Sequence, residues 1–536
     1  MELIQKTVGE FIPENAARYG DKTAMQAGDF VWSYRELDEI TDALACRLVH
    51  RYGVRKGTHM GIWSVNTPAY VFLFLAAQKL GAVPIPLNTC YKPAELSPIL
   101  VNMDVEILFY GEGWKDLVYS DLIPEIGKLA PEVREYVPMN TFGGSPFMGP
   151  GNFTEEERSD ESRGEIRKMT AEVSAEDTAC IVMTSGTTLS PKGVMLSHYN
   201  IVNDGRSAAL YMHWTDEDKM LLELPMFHCF GLITGVVVCT MKGICMDIIP
   251  YFGTALVWEI IEKHGITILN GVPSVFLALV RKPEYKNTVS EKLKSGVIAG
   301  SRLRYEDYME ICRHFPNMHL QTSYGMTESS PSVTFPDWDE APEKKAASCG
   351  KFMDRIEGRI VDPASGEILS VGMNGELQMK GFNITKGYYN MPEETARAFT
   401  EDGWLRTGDL ARFDEEGNLY ITGRLKELII RAGENISVVE IESVIDDSGM
   451  AEASKVVGVD SSFRQEEIAA LVVPTDPDTF DPEALKEYMK PRLAVYKIPD
   501  YIFTVNELPM TGSGKIDLKA AKELAEKRVK ESMTSH

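Results

Sequence analysis

The sequence predicts an α/β protein, with a large multi-subdomain N-terminal α/β body over residues 1–424 and a small C-terminal α+β domain over 425–536. Three observations lead there. The first half alternates amphipathic helical patterns with short, wholly apolar runs of the kind that become buried parallel strands. A chain of 536 residues, 44% hydrophobic and 25% charged, has core enough for several subdomains. Near residue 424 the composition shifts to a set of strand and helix patterns that reads as a unit of its own.

The elements follow from local chemistry. In "SYREL", Ser33 can cap a helix and Glu36 can reach back to it, and Leu37, Ile40, Leu44 and Leu48 then share one face. Gly53 is placed to end that helix. "HMGIWSV" and "TACIVM" read as buried parallel strands, and "NFTEEERSDESRGEIRK" as an exposed loop or linker. "AYVFLFLAA" and "GLITGVVVCTM" are too short to span a bilayer and read as buried helix segments. In the tail, "SKVVGVD" and "EIAALVVP" predict strands. "DPEALKEYMK" predicts a helix with Pro482 in its first turn, and "DLKAAKELAEKRVKE" a last helix.

Bulk charge narrows the partners. With 79 acidic against 55 basic residues the net charge is −24, which argues against a nucleic-acid or anionic-membrane surface. It leaves room for a local phosphate site. Eight scattered cysteines without a Cys-x-x-Cys pair predict buried, reduced thiols. "MELIQKTVGEF" lacks the apolar core of a signal peptide, so the expected location is cytoplasmic.

The run "CIVMTSGTTLSPKGVMLSH" predicts strand, loop and then helix. Backbone N–H groups of such a small-residue turn form an anion nest. The hydroxyls of Thr184, Ser185, Thr187 and Thr188, the freedom of Gly186 and the charge of Lys192 suit phosphate. It is not a Walker loop: Pro191 stands where the second glycine belongs, and Gly193 follows Lys192 where Ser or Thr should bind magnesium. On composition alone, a plain polar surface loop explains these residues equally well.

Seven further stretches break that tie: "PMFHCFG", "AGSRL", "SYGMTESS", "GELQMKGFNITKGYYNMPEETARAF", "GWLRTGDL", "GRLKELIIRAGENISVVEIE" and "LPMTGSGKI". In this order they resemble the adenylate-forming superfamily, which contains AMP-forming acyl-CoA synthetases, peptide-synthetase adenylation domains and beetle luciferases. The resemblance covers nearly the whole chain. It implies that the small domain is mobile and turns about a hinge at Lys426 between two half-reactions. A carboxylate first attacks the α-phosphorus of ATP, and a thiol then displaces AMP.

The resemblance also implies roles. Thr184, Ser185, Gly186, Thr187, Thr188 and Lys192 would hold the β- and γ-phosphates. Tyr324 beside Gly325 would stack on adenine, with Gly300 and Ser301 over its other face. Thr327 would contact the α-phosphate and Glu328 would hold Mg²⁺, a cation that prefers carboxylate oxygen. Asp409 would accept from the ribose hydroxyls with Arg424 in support, and Lys515 would bring its ammonium to the reacting anions. His228, Cys229, Phe230, Gly231 and Met326 would line the acyl pocket, and Gly433 would face the coenzyme A arm. No acidic or basic group is evident in that pocket, which favours a hydrocarbon-like acid.

Leu189 stands where the family has Gly or Ser, Val438 replaces a common proline and Leu518 a common arginine. The expected activity is that of an acid–thiol ligase using ATP, Mg²⁺ and coenzyme A on a medium-chain aliphatic, alicyclic or aromatic acid. A fatty acyl-AMP ligase or carrier-protein loader is the alternative within the class. A non-catalytic adenylate-binding protein is the alternative outside it, and a luciferase stays open because the same residues would serve. Monomer and homodimer are both left open.

Overall fold

The computed structural model describes residues 1–139, 153–184, 191–282, 290–301, 303–431, 434–461, 465–493, 495–511 and 516–534. The chain divides into two compact units, Met1–Glu357 with Met379–Leu405, and Gly358–Gln378 with Arg406–His536.

The first unit is built on two parallel sheets. The larger runs His319–Thr322, Ser295–Ile298, Ile268–Leu269, Lys219–Leu222, Cys245–Ile248, Thr23–Ala27 and Phe30–Ser33, and only its last pair is antiparallel. The smaller orders Val83–Pro86, His59–Trp63, Ile107–Tyr110 and Glu135–Pro138, all parallel, so "HMGIWSV" is the buried strand expected. The Tyr34–Tyr52 helix starts on the expected capping box and ends at Gly53 in the left-handed region, φ +66°. Leu37, Leu44 and Leu48 are fully buried on its inner face. Every residue of Pro68–Leu80 is buried: its apolar run packs inside, and the buried Lys79 ammonium pairs with Asp38 and Asp42. "GLITGVVVCTM" is helical too, but Phe230–Val237 is wound as a π-helix, a form concentrated at functional sites.

Three local expectations are corrected. "TACIVM" lies in Thr178–Thr184, which pairs antiparallel with Lys192–Ser197 and not within a parallel sheet. The phosphate-loop run is therefore strand, loop, strand, and its helix, His198–Tyr211, starts only after Ser197 caps it. Apolar alternation through Val194 and Leu196 continues the strand beyond the loop. The charged stretch holds the helix Asp160–Ala171: Ser159 accepts from the Ser162 N–H, acidic residues fill the first turn, and Ile166 is buried.

In the second unit, Ala451–Ser461 and Gln465–Pro474 pair along their length, with Tyr501–Thr504 parallel on the other side of the latter. Alternate residues point to opposite faces. Val456, Ile468, Ala470 and Val472 pack with Ile441, Ile445, Leu485 and Met489 of two helices. Val457, Val459, Ala469 and Leu471 pack with Ala521, Ala525 and Val529 of the last helix. Pro482 opens its helix as expected. Among the described residues no helix is long and apolar enough to cross a membrane. All eight cysteines are free thiols, and four of them are buried.

Candidate functional site

Of the phosphate-loop residues, Ser185, Gly186, Thr187, Thr188 and Leu189 lie outside the described residues. Its two strand ends are described. Thr184 sits opposite Lys192 across the hairpin, and its hydroxyl donates to the Lys192 carbonyl at 3.4 Å. The Lys192 ammonium lies 2.5 Å from Glu394 Oε2 and 4.7 Å from the centre of the Tyr388 ring.

Tyr388 is the joint of this region. It bridges to Val194 on the hairpin's second strand, flanked by Met195 N–H donating to Gly387 O and Tyr389 N–H donating to Gly193 O. Its hydroxyl donates to Glu328 Oε1 at 2.9 Å. Burial and the Glu328 carboxylate push the phenol well above its usual range, so it stays a donor. Thr385 N–H donates to Glu328 O at 2.8 Å, and Thr385 Oγ1 donates to Met195 O. One short segment thus ties the phosphate-loop hairpin to the loop that carries Glu328.

That loop is held from below. Gly325 has no room for a side chain, because a Cβ would fall 1.6 Å from the Pro331 carbonyl oxygen. The close approach that its glycine permits is therefore to its own loop. Tyr324 is half-buried, its N–H donating to Thr334 Oγ1 and its carbonyl accepting from Val333. Asn383, fully buried, sets its amide nitrogen 2.8 Å from the carbonyls of Ser329 and Ser332 and 3.1 Å from Asp204 Oδ1. Burial holds the Asp204 carboxyl well above the usual range. Met326 and Thr327 sit at the top of the loop, half-buried. Gly300 adopts φ +89° and Ser301 beside it is exposed.

Thr327 faces the expected acyl residues: its Oγ1 is 3.7 Å from Cys229 Sγ. His228 N–H donates to Pro225 O, and its ring packs 4.5 Å from that of Phe227. Gly231 is demanded by packing, since a Cβ there would meet Pro225 O at 2.4 Å. Phe230 and Gly231 line a small cavity together with Glu223. That glutamate, which follows the last β-residue of Lys219–Leu222, places an ionisable side chain beside two of the expected acyl residues.

In the second unit Asp409 and Arg424 are cross-strand partners, with Arg424 Nε 3.1 Å from Asp409 Oδ1. Asp409 N–H donates to Thr407 Oγ1, which donates to Leu377 O. Gly408 turns through φ +68° to donate its N–H to Glu376. Lys426 falls in a 3₁₀ turn, Leu425–Glu427, and its side chain lies outside the described residues, as do Gly433 and Lys515.

The AMP-binding enzyme family matches residues 12–389, and the AMP-binding enzyme C-terminal domain matches residues 440–515. The chain belongs to the AMP-binding enzyme family, within the adenylate-forming superfamily. This AMP-binding enzyme is 33% identical to the acyl-CoA synthetase homologue YngI of Bacillus subtilis (strain 168), over 96% of each chain. It is 31% identical to the mitochondrial medium-chain acyl-CoA ligase ACSF2 of Rattus norvegicus, over 98% of this chain and 89% of that one. ATP-bound MatB from Rhodopseudomonas palustris has the same architecture, with a TM-score of 0.83, 26% identity, and coverage of 97% of this chain and 99% of that one.

Among the described residues no cluster of three His, Cys, Asp or Glu could cage a metal ion. Glu328, a single buried carboxylate oriented by Tyr388, fits Mg²⁺ held through one protein ligand and the phosphates of its nucleotide. Tyr388, Glu394, Asn383 and Glu223 were not singled out from sequence. The first three sit inside the longest recognised stretch, and Glu223 carried no signal beyond a charge in an apolar run.

Proposed function

We propose that this AMP-binding enzyme joins a medium-chain carboxylic acid to coenzyme A through an acyl-adenylate, releasing AMP and pyrophosphate. The observation that carries the proposal is the Val194–Tyr388–Glu328 linkage. It fixes the phosphate-loop hairpin and the Thr327–Glu328 loop against each other within a chain that both family domains match.

In this reading Thr184, Lys192 and the loop between them hold the β- and γ-phosphates, and Tyr324 with Gly300 and Ser301 takes adenine. Asp409, supported by Arg424, accepts from the ribose. Glu328 holds Mg²⁺, which neutralises phosphate charge when bound. Thr327 donates to the α-phosphate. A substrate carboxylate oxygen attacks the α-phosphorus and the P–O bond to pyrophosphate breaks, with Lys515 offsetting the charge that develops. After reorientation about Lys426, the coenzyme A sulfur, passing Gly433, attacks the acyl carbon and AMP leaves.

The family resemblance supports these roles, and the relatives named for acyl-CoA ligation support the acceptor and the medium-chain acid. The test supplies coenzyme A in one reaction and an acyl-carrier protein in another, each with ATP, Mg²⁺ and octanoate. Thioester on coenzyme A is the expected product. Thioester on the carrier alone would make the chain a carrier-protein loader.

A further inference from the structure

Glu223 is the anomaly of the expected acyl pocket. Its side chain is 4% exposed, and neither carboxyl oxygen has a hydrogen-bond partner among the described residues. Burial pushes this carboxyl up to about 8; the N–H groups of Glu223 and Leu224 draw it back slightly without reaching hydrogen-bond geometry. At neutral pH it is therefore mostly a neutral acid, with one O–H to donate and lone pairs to accept. A polar group buried in this way costs stability unless something pairs with it.

It also faces a space. Glu223 lines a cavity of about 10 Å³ with Leu222, Leu224, Phe230, Gly231 and Asn270. That is on the order of the room one water or one hydroxyl oxygen needs. The wall beside it is polar too: Asn270 Oδ1 accepts from Val297 N–H, while its amide nitrogen meets the weak thioether acceptor Met220 Sδ at 3.6 Å. The cavity abuts the π-helix Phe230–Val237, whose first residues Phe230 and Gly231 form part of its wall. Cys229, the preceding residue, reaches 3.7 Å from Thr327 Oγ1. The polar cavity thus lies on the same short segment that meets the Thr327 loop.

We infer that Glu223 reads a hydroxyl group on the acyl part of the substrate, so that the acid this enzyme prefers is a hydroxylated carboxylic acid. This rests on the acid-ligase reading above and adds the substrate class to it. A hydroxyl donates one hydrogen bond and accepts another, which complements a protonated carboxyl. A hydrocarbon chain leaves both oxygens unpaired, and a second carboxylate meets a buried acid that pairs with no cation among the described residues. Sites built to pair a substrate hydroxyl discriminate strongly against the analogue that lacks it.

The experiment measures kcat/KM for AMP formation with butyrate, hexanoate and octanoate, each against its hydroxy and ω-amino counterparts. Wild type, Glu223→Leu and Glu223→Gln are compared. The expected result is a preference of about 10- to 100-fold for at least one hydroxy acid over its parent. Glu223→Leu brings the hydroxy-to-parent ratio of kcat/KM close to one, and Glu223→Gln retains part of the preference. Equal hydroxy-to-parent ratios in wild type and Glu223→Leu would overturn the inference, and a preference for the ω-amino acid would overturn the class assigned. Thermal shifts with the same acids run in parallel. If no acid gives AMP, the ligase reading fails, and hydroxy acids must still raise the wild-type midpoint and not that of Glu223→Leu, or the inference fails as well.

Discussion

The Tyr388 hydroxyl donates a 2.9 Å hydrogen bond to Glu328 Oε1, while the Tyr388 backbone is bridged to Val194 of the phosphate-loop hairpin. One residue therefore orients the proposed magnesium ligand and locates it relative to the strand that carries Lys192. Groups that orient a metal ligand commonly contribute about 10- to 100-fold in metal affinity or activity. Tyr388→Phe is expected to raise the Mg²⁺ concentration for half-maximal adenylation by about 10-fold, with the thermal midpoint nearly unchanged. A magnesium titration of ATP–pyrophosphate exchange checks this, and an unaltered titration would remove Tyr388 from the account.

Lys192 reaches Glu394 at 2.5 Å, and both side chains are largely shielded from water. In the proposed reading, an incoming phosphate competes with that carboxylate for the ammonium. Lys192→Ala is expected to raise the KM for ATP by about 10-fold or more, because a charge-assisted contact is lost. Glu394→Gln should act oppositely and lower it a few-fold. Steady-state kinetics at fixed acid distinguish the two, and a rise in both variants would mean that the pair acts only as a structural brace.

Much of the fold was legible because periodicity and capping are local. Ser33, Glu36 and Gly53 delimit a helix from within one turn at each end. The misread segments are those where partners decide. Nothing within "TACIVM" distinguishes a parallel strand from the antiparallel hairpin that Lys192–Ser197 imposes. The charged stretch hides a helix whose only fully buried apolar residue is Ile166. The candidate site is read from sequence where a motif is contiguous, as in "SYGMTESS". Tyr388 and Asn383 reach it across the fold, from 60 and 54 positions away from their partners Glu328 and Ser329. No spacing rule exposes such contacts. Glu223 is enclosed by its neighbours Leu222 and Leu224 together with Phe230, Gly231 and the more distant Asn270, and the apolar run around it does not mark it as a site.

Glu223 also contributes to pH dependence. Its folded value of about 8 is raised from 4.5, so between those limits the folded chain keeps a proton that the unfolded chain has released. The contribution of Glu223 to stability therefore falls as pH rises through that window and levels off above it, with a ceiling on the order of 5 kcal/mol. Glu223→Gln should flatten this fall. Urea midpoints measured from pH 5 to pH 9 read the effect directly, and parallel curves for wild type and variant would assign the pH dependence to other groups.

In the proposed mechanism Lys515, which lies outside the described residues, serves only the first half-reaction. Lys515→Ala is expected to lower ATP–pyrophosphate exchange by at least about 10²-fold, the usual cost of losing a preorganised charge donor. Thioester formation from preformed acyl-adenylate should be largely spared. Equal loss in both assays would refute a role confined to adenylation.

The central claim is that this chain activates an acid by transferring AMP to it. Incubating the purified enzyme with ATP, Mg²⁺, coenzyme A and a broad panel of carboxylic acids, hydroxylated ones included, and quantifying AMP and acyl-coenzyme A together tests it most directly. The account predicts that at least one acid yields AMP and thioester in equal amounts, both dependent on the acid. AMP formation with none of the acids, or ADP in its place, would contradict it.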